Sequence, residues 1–184
     1  GLDDGDVDLI ALVRGVPVVP MSAVTLEAAE ESIVHAGDWY MANLDDQGRV
    51  TYKYWPAENR TSAEYNLVRH TLATWNLVQA YEMDPTREEF LEGARRALDY
   101  TQRFLETETV PGGQETMAYY SFQNNQKLGT VVVNMLGMIA LARATDDHQW
   151  DEQLRQMGRF VLFMQDDQGS FDGYYVDEDH AYFG

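Results

Sequence analysis

Two acidic residues near the end of the chain have the type and spacing that acid–base chemistry needs. Asp172 and Asp177 flank a pair of tyrosines, Tyr174 and Tyr175. Cleavage of a glycosidic bond usually uses two carboxyl groups, held roughly 5–10 Å apart. Asp172 and Asp177 are therefore the first candidates for a catalytic pair. Glu64 is a further candidate, although it also suits a helix-capping position.

Aromatic residues gather in three segments that we predict to be long connections between helices. Tyr and Trp rings offer flat apolar faces and polar edges, which suit stacking against sugar rings. The alternative is that these rings pack the connections onto the ends of helices. The candidates for ligand binding are Tyr54, Trp55, Tyr119, Tyr120, Tyr174 and Tyr175.

Three basic or titratable side chains lie at the starts of two apolar segments. Arg69 and His70 begin the first segment, and Lys127 begins the second. We expect Arg69 to contact a ligand, because a guanidinium suits a carboxylate or a uronic acid. Lys127 is a further candidate for ligand binding, since it begins the second segment at the repeat position of Tyr65. His70 is a candidate general base, since the pKa of imidazole lies near neutrality. A structural salt bridge for Arg69 and a hydrogen-bonded core position for His70 are the alternatives.

The composition argues against several kinds of site and partner. The 184 residues include no cysteine, and 31 acidic residues against 13 basic ones give a net charge of -18. Such a chain repels phosphate backbones and anionic lipid surfaces, so we expect no nucleic-acid and no membrane partner. The longest apolar run, 131–142, is shorter than the ~20 residues of a membrane helix, and no signal peptide is apparent. We expect no metal and no cofactor, because no histidine pair has ligand spacing and no nucleotide-binding glycine motif is present.

An internal repeat organises the chain. The tetrapeptide Asp-Asp-Gln-Gly occurs at 45–48 and again at 166–169, and aromatic residues follow both copies. A degraded copy with Pro-Gly-Gly at 111–113 lies between them. The repeat unit is therefore about 60 residues long, which is enough for two helices and a long connection.

Hydrophobic periodicity predicts five helices, at about 26–44, 62–82, 87–106, 127–144 and 148–165. Thr25, Thr61 and Thr86 are the predicted N-terminal caps of the first three. The first, third and fifth helices have one apolar stripe, whereas the second and fourth are apolar nearly all round. Inner helices should therefore alternate with outer ones, and the long connections should collect on one rim. Residues 1–24 form a predicted extended segment before this region.

The segment 158–171, Gly-Arg-Phe-Val-Leu-Phe-Met-Gln-Asp-Asp-Gln-Gly-Ser-Phe, resembles the repeat of α/α toroids such as terpene cyclases. It is also similar to six-hairpin, glycan-processing toroids: glycosidases, polysaccharide lyases, sugar epimerases and a C-terminal domain of glucuronyl epimerases. Tyr-Trp-Pro at 54–56, followed by Tyr-Asn-Leu-Val-Arg-His at 65–70, looks like bacterial members of that group. The terpene-cyclase branch is disfavoured, because its Asp-x-Asp-Asp run is missing here.

The resemblance implies an all-α fold, with a partial α/α toroid over residues 25–184. Five helices make two and a half hairpins, whereas a closed ring of this kind has about six. The implied function is a glycan hydrolase, lyase or epimerase that binds an oligosaccharide or another small polar ligand on the rim of long connections. The alternative is a non-catalytic helical scaffold or protein-interaction domain. In either case the open end of the ring offers a surface for self-association.

Overall fold

The computed structural model describes residues 19–175. Five α-helices form its framework: α1 (Leu26–Ala42), α2 (Leu67–Met83), α3 (Glu89–Gln102), α4 (Leu128–Thr145) and α5 (Asp151–Phe163). The predicted extended segment 1–24 lies outside the described residues up to position 18, and Met21–Ala23 forms a short 3-10 helix. The number and order of the predicted helices agree with the structure.

The two apolar helices, α2 and α4, pack directly against each other. Further contacts join α2 to α1 and α3, and α4 to α5 and α3. The close approach of α2 and α4 depends on Gly137 of α4, where a Cβ atom would lie 2.9 Å from the Cβ of Thr74 of α2. The core around this contact includes Leu77, Val78, Leu98, Met138, Leu141 and Phe160. The predicted alternation of inner and outer helices therefore describes the framework.

The all-α expectation needs correction, because two β-sheets occupy the long connections. One has two strands, β1 (Tyr54–Trp55) and β2 (Arg60–Thr61). The other has four antiparallel strands in the order β3-β4-β5-β6: β3 (Leu105–Thr109), β4 (Thr116–Phe122), β5 (Asn125–Lys127) and β6 (Tyr174–Tyr175). Gln123 and Asn124 join β4 to β5, with φ angles of 52° and 59°. Positive φ at both central residues is typical of a tight hairpin turn.

Several helix boundaries differ from the prediction for local reasons. The side chain of Thr25 accepts a hydrogen bond from the backbone of Ala28, as a cap should. Asn66, rather than Thr61, caps α2 by accepting from the N–H of Arg69, while Thr61 lies in strand β2. Thr86 donates its hydroxyl to Asp84 and does not cap α3. Because of these local hydrogen bonds, α2 and α3 begin at Leu67 and Glu89, later than the predicted starts at about 62 and 87.

The two Asp-Asp-Gln-Gly copies adopt the same turn. The first Asp of each, Asp45 or Asp166, accepts hydrogen bonds from the backbone N–H groups two and four residues later. Gly48 and Gly169 have φ angles of +83° and +85°. The turn at Gly48 packs tightly, since a Cβ atom there would lie 1.9 Å from the carbonyl oxygen of Arg96, whereas Gly169 is open. The sequence repeat is thus a structural repeat, and its first acid holds a turn.

Within residues 19–175, α4 is the one helix whose length and composition would allow it to cross a membrane. Core helices of globular proteins pass the same test. Here α4 packs against α2, α3 and α5, which fits a core helix. The expectation that the chain has no membrane partner stays a prediction.

Candidate functional site

A cavity opens between the second half of α1 and the first half of α2. Its volume is about 320 Å³, which is within the range of small-molecule sites. It lies beside the N-terminus of α2 and the connection that leads into it. The lining residues are aromatic (Trp39, Tyr40, Tyr52 and Tyr65), polar or charged (Thr51, Asn66, Arg69 and His70) and aliphatic (Val50 and Leu72).

The cap at Asn66 determines where the charged wall of this cavity lies. Because α2 begins at Leu67, the exposed side chain of Arg69 belongs to the first turn of the helix. The guanidinium carbon of Arg69 lies 5.8 Å from the centre of the Tyr52 ring. Among residues 19–175, no carboxylate oxygen lies within 4.0 Å of this guanidinium. The salt bridge considered for Arg69 therefore does not form within this part of the chain.

His70 faces the back of the cavity and is only 2% exposed. Its Nε2 lies 2.8 Å from the carbonyl oxygen of Ala97 and must donate to it. The Nδ1 atom then accepts, from the hydroxyl of Tyr65 at 2.5 Å and from the N–H of Val50 at 3.4 Å. Burial, opposed by the bond to Ala97 and assisted by Arg49, lowers the pKa of His70 to about 4. The imidazole is therefore neutral at pH 7. Its two ring nitrogens join Val50 and Tyr65, in the connection between α1 and α2, to Ala97 of α3.

Tyr65 connects the cavity to a cluster of aromatic rings. Its ring contacts those of His70, Tyr100 and Phe122 at centroid distances of 5.7–5.9 Å. The guanidinium of Arg49 lies 4.6 Å from the Tyr65 centroid. Burial, helped by Tyr100, raises the pKa of Tyr65, so its hydroxyl remains protonated. Tyr65 is therefore a rigid wall and a hydrogen-bond donor rather than an anionic group.

Three of the predicted ligand-binding tyrosines are buried instead of lining the rim. Tyr119, Tyr120 and Tyr175 are 4%, 1% and 2% exposed. The Tyr119 and Tyr175 hydroxyls donate to Glu108, and the Tyr120 hydroxyl accepts from glutamine side chains of α3 and α5. Strand β4 is covered by α5 and α4, so these rings pack in the core. In this conformation these three rings cannot stack on a ligand. They instead pack the connections onto the helices, which was the alternative to ligand binding.

The remaining predicted aromatic residues stay accessible but lie outside the cavity. Tyr54 is exposed and donates to the Asn59 side chain at 3.0 Å. The Trp55 ring is partly covered by the guanidinium of Arg60, 4.1 Å from its centre. Tyr174 is exposed, and the Lys127 ammonium lies 5.3 Å from its ring centre.

Lys127 also lines a smaller polar cleft beside the cavity. The volume of the cleft is about 80 Å³, and it shares Tyr65 and Asn66 with the cavity. Gln123 and Asn125 of the β4–β5 hairpin form part of its opposite side. Cavity and cleft therefore meet at the N-terminus of α2, and the start of α4 lies on the far side of the cleft.

The predicted carboxylates are not brought together at the cavity. Glu64 forms an ion pair with Lys53, which raises the pKa of that lysine. Asp172 is partly buried, and its backbone N–H donates to the carbonyl of Met164. Asp177 lies outside the described residues. Neither Glu64 nor Asp172 lines the cavity or the cleft, and residues 19–175 contain no cluster of three His, Asp or Glu residues suited to a metal ion.

Of the residues that line the cavity, only Arg69 and His70 were predicted site residues. Three aromatic residues of the wall, Trp39, Tyr52 and Tyr65, were not. Tyr52 belongs to an aromatic segment, but nothing in the sequence distinguishes it from its neighbours. Tyr65 precedes the α2 cap, and Trp39 is an exposed tryptophan on α1. The available signal was their type: a tryptophan on the polar side of a helix is unusual, and large exposed apolar groups often mark contact surfaces.

The fold resembles that of a solved glycoside hydrolase. The fold is similar to a GH76 α-mannanase of Bacteroides thetaiotaomicron, with a TM-score of 0.54 and 17% sequence identity. The likeness covers 83% of this chain and 46% of that one, so the chain spans about half the length of the mannanase. No family model and no curated protein matches the sequence. The likeness supports a helical toroid as the general fold, with the added sheets on its connections.

Proposed function

We propose that this chain is part of a carbohydrate-active protein and that it binds a saccharide in the α1–α2 cavity. The carrying observation is the cavity itself, where Trp39, Tyr52 and Tyr65 surround a space of about 320 Å³ beside Arg69. Aromatic faces with a few polar groups at the edge are suited to sugar rings. The likeness to a glycosidase fold supports the same class of ligand.

The finer proposal is that the whole protein is a glycan hydrolase, lyase or epimerase. Glycosidic chemistry requires carboxyl groups close to the bound sugar. Asp172 and Asp177 remain the proposed pair, on the connection that follows α5. Strand β6 in this connection pairs with β5, which leads into Lys127 and the cleft. A ligand extending from the cavity through the cleft would run towards that connection.

Isothermal titration calorimetry with a panel of neutral and acidic oligosaccharides tests the binding proposal. We expect one class to bind the chain and Tyr52→Ala to weaken that binding by up to about tenfold, since an aromatic contact contributes roughly 0.5–1.5 kcal/mol. Tyr54→Ala is the matched control, because this exposed tyrosine of the same connection does not line the cavity. Absence of binding to every sugar, or equal losses in both variants, contradicts the proposed site.

A second candidate function is suggested by an apolar groove at the other end of the helical array. Val132 and Leu136 of α4 and Leu162 of α5 line a space of about 550 Å³, and Leu162 is 69% exposed. Gly158 also lies in this groove, and a Cβ atom added to it would have no neighbour within 4 Å, whereas its repeat equivalent, Gly37, packs against the next hairpin. The groove therefore resembles the surface on which one helical repeat packs against the next, but no described residue fills it.

The proposed occupant of the groove is a second copy of this chain, packed head to tail. At the opposite end, α1 exposes Leu26, Ile33 and Trp39, so each copy offers two apolar surfaces. Light scattering after size exclusion should show a dimer that both Leu162→Glu and Leu26→Glu dissociate. A monomeric parent chain would rule out this self-association.

A further inference from the structure

One arginine of the cavity wall, Arg69, has no carboxylate partner within residues 19–175. The chain has a net charge of -18. Within residues 19–175, the arginines elsewhere that form ion pairs with acidic residues are Arg60, Arg87, Arg95, Arg155 and Arg159. Among residues 19–175, neither Arg49 nor Arg69 has a carboxylate oxygen within 4.0 Å. Arg96, Arg103 and Arg143 also lack a carboxylate partner within these residues, but Arg69 is the arginine that lines the cavity. Its exposed N–H donors are therefore available to an anion from outside.

Each guanidinium group lies near an aromatic ring of the site. Arg49 lies over Tyr65, at 4.6 Å, and Arg69 lies near Tyr52, at 5.8 Å. At these distances the rings attract the guanidinium groups without occupying their N–H donors, which remain able to bind an anion. Tyr52 and Tyr65 both line the cavity, so each charge is next to a surface on which a sugar ring would rest. An acidic sugar matches both features at once.

The start of α2 adds to this preference. Its first turn contains no acidic residue, and Arg69 stands where an Asp or Glu would favour the helix dipole. The partial positive charge of a helix N-terminus and the Arg69 charge therefore add together instead of cancelling. In the neighbouring cleft, Lys127 provides a further cation. These groups add positive charge along the rim from cavity to cleft, while Asp45, which acts on Tyr65 and His70, opposes them in part.

We propose that the saccharide bound in the cavity is an acidic one, in which a uronate carboxylate pairs with Arg69 while the sugar ring stacks on Tyr52. This inference rests on the proposed function and specifies its substrate class. Arg49, behind Tyr65, adds charge without direct contact. The net charge of the chain opposes anions at long range, but at physiological salt that repulsion is screened beyond about 8 Å. The local pairing then determines which sugar binds.

The test compares α-1,4-linked trigalacturonate with its carboxyl-reduced, neutral counterpart by calorimetry in about 0.15 M salt. We expect the acidic trisaccharide to bind at least about tenfold more tightly, because a hydrogen bond to a charged group contributes about 1.5–3 kcal/mol. Arg69→Gln should abolish that preference while changing neutral binding less than twofold. Arg69→Lys should retain only part of it, since an ammonium lacks the planar pair of donors.

Arg143→Gln is the matched control. Arg143 is an exposed arginine in the last turn of α4, far along the helix from its start, and it also lacks a carboxylate partner within residues 19–175. Its replacement should change neither affinity. Equal binding of the two trisaccharides, or an equal loss with Arg143→Gln, overturns the acidic-sugar inference and leaves saccharide binding intact. Failure of both trisaccharides and of every other sugar overturns the proposed function as well.

Discussion

The fold should lose about 2 kcal/mol of its unfolding free energy between pH 7 and pH 5 through His70 alone. The pKa of His70 is about 4 in the folded protein, against the ordinary value of 6.5 expected after unfolding. Between pH 6.5 and pH 4 the unfolded chain binds a proton at His70 that the folded protein excludes, so the free energy of unfolding falls as the pH falls. Each unit of difference corresponds to about 1.4 kcal/mol, so the loss is about 3 kcal/mol at pH 4 and approaches its full value only below that pH.

Urea unfolding followed by circular dichroism at pH 7, 6 and 5 measures this loss. The carboxylates of the chain also titrate at low pH, so the informative quantity is a difference between variants. His70→Gln should be less stable at pH 7 but should lack the dependence of about 2 kcal/mol. His148→Gln is the control, because His148 is an exposed histidine near two aspartates and its loss should keep that dependence.

The refuting result is an equal pH dependence in the parent chain and His70→Gln. That outcome would mean that His70 titrates in the folded protein much as it does after unfolding. The buried hydrogen bonds to Ala97 and Tyr65 would then not hold the ring neutral, and the hypothesis of a general base with a near-neutral pKa would regain its basis.

Three further predictions concern stability and use the same urea assay. Gly48→Ala should lower the free energy of unfolding at least twice as much as Gly169→Ala. Both variants place alanine at positive φ, which costs about 1 kcal/mol, but only the alanine at position 48 also collides with the backbone of α3. Equal losses would contradict the tight packing of the first turn. Gly137→Ala should destabilise by about 1–3 kcal/mol through the α2–α4 contact, whereas Gly158→Ala should stabilise α5 by roughly 0.5–1 kcal/mol; stabilisation in both would argue against the close approach. Asn66→Ala should cost about 1 kcal/mol, and Asn66→Asp should retain most of the stability, as an N-cap requires.

The long connections show why the site was only partly predictable. Residues 107–126 contain turn-forming glycines and asparagines, which indicate a loop, but the same segment forms most of β3, β4 and β5. Strand formation there depends on partners far along the chain, such as the pairing of Lys127 with Tyr174. The sequence therefore indicated aromatic residues on this connection without indicating that Tyr119 and Tyr120 would face the core.

The sequence by itself determined the five helices, their alternation and the repeated turn. These features depend on hydrophobic periodicity and on short-range hydrogen bonds, such as those of Asp45 and Asp166, which neighbouring residues supply. Tertiary packing alone decided which aromatic rings are buried and which line a cavity. Trp39, Tyr52 and Arg69 come from different segments, and only the packing of α1 on α2 brings them to one surface. Burial depends on contacts between distant parts of the chain, and no local pattern encodes them.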